Sequence, residues 1–136
     1  MIKIGFDLVG LEPKNEKGEY FRNNIWWWRR LWWFTCEVCK DIFNESDVVS
    51  GSFNSGYEIT KEKSAMMAER LETVLCEKEK YEGLVKHSED LYLEMENNIA
   101  KTLGQKSSNK CSYPFDWKNF EDFYEFVKNS GGFQIY

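Results

Sequence analysis

The side chains best equipped for chemistry lie in one run, YFRNNIWWWRRLWWF (Tyr20 to Phe34), which holds five of the six tryptophans and three arginines. Arginine offers a planar fork that fits a phosphate or the Hoogsteen edge of guanine. Asparagine matches an adenine edge or a ribose hydroxyl, and tyrosine and tryptophan faces stack on bases. The run also sits where a helix is expected to begin, with free backbone donors and the positive dipole end that attract phosphates. Tyr20, Arg22, Asn23, Asn24, Trp27 and Arg29 thus contain the parts for holding a small nucleotide. The competing reading is plainer. Asn23 or Asn24 caps the helix, the arginines pair with nearby carboxylates, and Trp26, Trp27, Trp28, Trp32 and Trp33 are core and interface.

Bond-breaking chemistry is poorly represented. CEVC (Cys36–Cys39) has a metal-like spacing, but the helical pattern puts it inside an element, and a structural zinc site needs four ligands. Cys76, Cys111 and His87 are scattered, so the expectation is two small apolar residues in a helix core and no metal site. His87, the single histidine, lies in the polar stretch VKHSEDL and reads as a surface residue. There is no GxSxG, P-loop or GxGxxG. No catalytic residue and no cofactor is expected, and the chain reads as a binder rather than an enzyme.

The elements that must position these groups follow from periodicity. IKIGFDLVG alternates, with Ile2, Ile4, Phe6 and Leu8 on one side and Lys3 and Asp7 on the other, which predicts a half-buried strand. LEPKNEKGE is a polar loop. IWWWRRLWWFTCEVCKDIF predicts one helix, with Trp28, Trp32, Cys39 and Phe43 on one side and Trp27, Leu31, Phe34, Val38 and Ile42 beside them. That apolar arc is wider than a surface helix needs. NESDVVSGSFNSGYE is expected as a loop. Thr60 caps a helix carrying Ala68, Leu71 and Leu75 and reaching about Tyr81, and Leu84, Leu91, Met95 and Ile99 mark another. GQKSSNKCS is a loop, Asp116 caps WKNFEDFYEFVKN, Gly131 or Gly132 ends it, and FQIY closes the chain as a strand expected to pair with the first. Together these predict a single α+β domain (1–136), mostly helical, with a small antiparallel or mixed sheet from the N- and C-terminal strands.

Composition agrees with a globular chain. Of 136 residues, 42% are hydrophobic and 30% charged, far from a disordered profile. The net charge of −5 argues against broad contact with DNA or RNA, which needs a basic face. It leaves open a small anion held by local arginines. No apolar run is long enough to span a membrane. The N-terminus is not read as a signal peptide, and four cysteines without a framework suggest a reducing cytosol.

Three blocks carry a resemblance: GEYFRNNxWWWR, the NSG at Asn54 to Gly56, and the ending YPFDWKNFEDFYEFVKNSGGFQIY. They resemble a phage-encoded family of small proteins, identified as the tetrameric anti-CBASS sponges for cyclic dinucleotide immune signals. The matching blocks cover about half of the chain, and the first and last are the specific ones. The resemblance implies a homo-oligomer, a tetramer, in the host cytoplasm that sequesters a ligand such as 3′3′-cGAMP without cleaving it, and it adds Asn54 to the expected ligand-binding residues. A sponge for a cyclic ADP-ribose signal and a protein–protein inhibitor of a host defence component are the alternatives. The chain departs from the family pattern at Arg30, where many members have Pro, and in lacking extra paired cysteines in its middle region.

Overall fold

A computed structural model describes residues 5–136. The sequence-predicted contributions of Ile2, Lys3 and Ile4 lie outside the described residues. Four antiparallel strands form the sheet in the order β2-β1-β4-β3. They are β1 (Gly5–Gly10), β2 (Tyr20–Asn24), β3 (Tyr57–Ile59) and β4 (Phe133–Ile135). The expected pairing of the first and last strands is present, with Leu8 opposite Ile135. Alternation sends Phe6, Leu8, Phe21, Ile59, Phe133 and Ile135 to one buried face. Asp7, Tyr20 and Arg22 fall on the other.

Among the described residues, the helices pack on the buried face. On α5 (Trp117–Ser130), Phe123 and Phe126 pack on Phe21, with ring centroids 5.5 and 6.0 Å away. Asp116 caps this helix through Lys118 N, and Gly131 ends it at φ 67°, a left-handed conformation that suits glycine. Helix α3 (Lys61–Cys76) starts at Thr60, whose side chain accepts from Lys63 N. It packs on α5 through Met67, Leu71 and Val74, and Ser64 Oγ donates to Val127 O at 3.1 Å.

Helix α1 (Ile25–Val38) is shorter than its apolar pattern predicts. Its buried rings form a stacked file, Phe6–Trp28–Trp32–Phe43, with centroids 5.7, 5.3 and 5.2 Å apart. Two features stop the helix at Val38. The Arg70 guanidinium donates to Val38 O at 2.6 Å, and it grips Asp41 with both nitrogens at 2.6 and 2.7 Å. Cys39 therefore ends the helix instead of lying within it.

Two further expectations are corrected. The stretch read as a loop, 44–58, holds α2 (Glu45–Ser50) and β3. Helix α2 is started by a capping box in which Asn44 and Asp47 satisfy each other's backbone donors. It is held by two buried indoles: Trp28 Nε1 donates to Gly51 O at 2.8 Å, and Trp32 Nε1 to Val48 O at 3.0 Å. These bonds satisfy carbonyls that a helix C-terminus leaves open. The second correction concerns YFRNN, which is not the opening of the helix but strand β2. The pairing of Asp7 opposite Arg22 places opposite charges across the ladder.

Helix α4 (Glu82–Thr102) runs beside α1 and has one fully buried residue, Ser88. Between α4 and α5, residues 105–113 form a strap pinned to α4. The Asn97 amide bonds both N and O of Ser108 at 2.9 Å, and Glu96 accepts from Ser112 N at 3.1 Å.

Candidate functional site

The structure brings Tyr20, Arg22 and Asn54 together around Gly5 and Asp7 and gives the other sequence-predicted residues different partners. Arg22 lies on the sheet face opposite the helices, where its Nη1 donates to Asp7 Oδ1 at 2.8 Å. Its guanidinium occupies the space above Gly5, where a side-chain Cβ would come within 2.3 Å of it. Tyr20 donates its hydroxyl to the same Asp7 oxygen, and this hydrogen bond raises the phenol above its ordinary value. The Arg22 charge is thus offset by a buried carboxylate. Asn23 turns inward and exchanges two amide hydrogen bonds with Asn119, at 3.0 and 2.9 Å. Asn24 caps α1 by accepting from Trp27 N at 2.9 Å. Asn54 donates to Gly5 O at 3.2 Å. Arg29 borders a small hollow of about 250 Å³ with Trp33, Glu37 and Tyr92. The plainer reading of the asparagine cap and the arginine–carboxylate pair describes Asn24 and Arg22.

Arg30 is buried. Its guanidinium lies 4.1 Å over the Tyr92 ring, donates to Ser88 O at 3.1 Å, and contacts Cys111 Sγ. It ties α1, α4 and the strap together. Burial lowers its pKa, and Tyr92 and Glu96 work in the opposite direction.

Beyond this anchor lies a cleft that sequence reasoning missed. Trp26 begins it. This indole is 53% exposed, unlike Trp28 and Trp32, and stacks on Tyr113 with centroids 6.1 Å apart and planes 20° apart. Trp27 meets Tyr113 edge-on, with centroids 5.4 Å apart. Between these rings, the far half of α4 and the strap is a space of about 340 Å³. Ile99 and Ala100 give it an apolar wall, and Glu96, Gln105, Lys106 and Ser112 line it with polar groups. The sequence signal for this cleft is Trp26 itself, a tryptophan of the run that falls outside both apolar sides of α1.

The CEVC cysteines are both buried. Desolvation pushes the Cys39 thiol up to about 12 and that of Cys36 further. Neither has the electropositive, accessible surroundings of a reactive thiol. Among the described residues, no group of three or more His, Cys, Asp or Glu side chains is placed to hold a metal ion, and no helix is long and apolar enough to cross a membrane. No family model, curated protein or solved structure matches the chain.

Proposed function

We propose that the protein binds a cyclic dinucleotide such as 3′3′-cGAMP and sequesters it intact in the host cytoplasm, so that the CBASS effector is not activated. The observation that carries this reading is the cleft beside the exposed Trp26–Tyr113 stack. A solvent-facing aromatic pair beside amide, hydroxyl and ammonium groups is the inventory of a base-and-phosphate site. The resemblance of the YFRNN and GGF blocks to the anti-CBASS sponges points to the same ligand class.

The volume of about 340 Å³ is at the low end of the roughly 300–1,000 Å³ of small-molecule sites. It suits one nucleotide half. A near-symmetric ligand is then held by two copies of the cleft across a twofold axis, in keeping with the homotetramer proposed here.

The test is a release experiment. Protein mixed with 3′3′-cGAMP and then heat-denatured should return the ligand unchanged, after calorimetry shows micromolar or tighter binding. New products on chromatography would make the protein an enzyme. A thermal shift with a cyclic ADP-ribose derivative alone would reassign the signal, and no shift with any nucleotide would leave the protein-inhibitor reading.

A further inference from the structure

We infer that Lys101, Lys106 and Lys110 around the cleft steer the anionic ligand into it, and that the association rate depends on them. This rests on the nucleotide reading above and goes beyond it to how the ligand arrives. A cyclic dinucleotide carries two phosphodiester charges, and the chain carries a net charge of −5. Taken as a whole, the protein repels such a ligand. Fast capture therefore needs a local field of the opposite sign at the cleft.

The charge distribution supplies one. Between Glu96 and Asp116 the chain has Lys101, Lys106 and Lys110 and no acidic residue. All three are exposed. Lysines elsewhere, among them Lys61, Lys63 and Lys118, are paired with carboxylates. Among the described residues, Lys101, Lys106 and Lys110 form no such pair. Their placement follows the cleft wall. Lys106 lines it, Lys101 follows Ala100 of the wall, and Lys110 lies two residues before Ser112. Successive Cα atoms are about 3.8 Å apart. Each lysine is thus rooted within about one Debye length of the lining at about 0.1 M salt, while charges farther away are largely screened. Glu96 is the one carboxylate in the lining, and the charge of the buried Arg30 acts against it. An approaching dianion therefore meets a net positive field at the cleft.

Stopped-flow mixing with 3′3′-cGAMP, followed by tryptophan fluorescence, tests this on the wild type and two double variants. Lys101→Gln/Lys110→Gln removes two steering charges, and neither side chain lines the cleft. Lys14→Gln/Lys17→Gln changes the net charge equally in the β1–β2 connection, at the end of β2 away from α1. Two charges about 10 Å from a dianion are worth about threefold in rate at about 0.1 M salt. The first variant should therefore associate about threefold more slowly with an unchanged dissociation rate, and the second should match the wild type. Wild-type association should slow as salt rises from about 0.1 M to about 1 M, because screening removes an attraction. Association that quickens with salt would show that the net charge governs, and would overturn steering while leaving sequestration standing. Equal slowing in both variants would overturn the assignment to these lysines. A change in the dissociation rate alone would make Lys101 and Lys110 contact groups and overturn it as well. If calorimetry shows no binding of 3′3′-cGAMP to the wild type, both this inference and the function on which it rests fall.

Discussion

Replacing Trp28 and Trp26 separately by alanine should divide the tryptophan run into two kinds of residue. Trp28 is fully buried, stacked between Phe6 and Trp32, and bonded to Gly51 O. Removing a buried indole costs roughly 3–5 kcal/mol. The orphaned Gly51 carbonyl pushes the loss toward the upper end, because α2 loses one of its two tethers. Against a total stability of about 5–15 kcal/mol, that is about a fifth or more. At about 3 °C per kcal/mol for a chain of this size, the melting temperature should fall by roughly 10–15 °C. Trp26, half exposed, should cost about 1 kcal/mol or less and move the melt by only a few degrees. Its loss should appear in binding instead. Removing one stacking face is worth about 1–3 kcal/mol per base, so cyclic dinucleotide affinity should weaken about 5- to 150-fold. Scanning calorimetry and titration calorimetry on the same two variants make the comparison. If Trp26→Ala melts as early as Trp28→Ala, or Trp28→Ala melts within a few degrees of the wild type, the division of the run into shelf and core is wrong.

Two other outcomes follow from the fold. A Cβ at Gly51 would meet the Trp32 ring at 2.2 Å, so Gly51→Ala should destabilise by about 1–3 kcal/mol through overpacking, seen as a lower urea midpoint at unchanged slope. Arg70 and a local backbone hydrogen bond hold Asp41 at about 2, below its ordinary 3.8. A depressed folded pKa gives stability that is present above the unfolded value and lost as pH falls through the folded one. The stability gap between wild type and Asp41→Asn should therefore shrink between about pH 4 and pH 2, as followed by urea denaturation, and stay constant above pH 5.

Much of the scaffold was legible because its signals are local. Asp116 and Gly131 bracket α5 by caps, Thr60 opens α3, and the alternation of Phe6 and Leu8 marks β1. What escaped depends on partners distant in sequence. Nothing around Cys39 announces the end of α1, since the stop comes from Arg70 on another helix. YFRNN alternates over only five residues and reads as a strand only once Asp7 faces Arg22. The Asn44–Asp47 capping box is spelled out in NESD, but the Ser, Asn and Gly around it give the stretch the composition of a loop. The site was less legible than the fold. Residue type marked Arg22 and Asn24 as ligand groups, but the fold engages them with Asp7 and the Trp27 amide. Trp26, Glu96 and Tyr113 come from three separate segments, and no spacing rule connects them.

The shallow burial of α4 has a consequence for motion. Beyond Tyr92, Met95 and Ile99 of α4 and its C-cap Leu103 are 49%, 56% and 65% exposed, so little apolar contact opposes local opening there. Backbone amides in this half should exchange with solvent well before those of α1 or the central strands, through openings that leave the sheet intact. The cleft is built on that half. A bound molecule would supply the packing the helix lacks, and its arrival would register first as slowed exchange along residues 95–103.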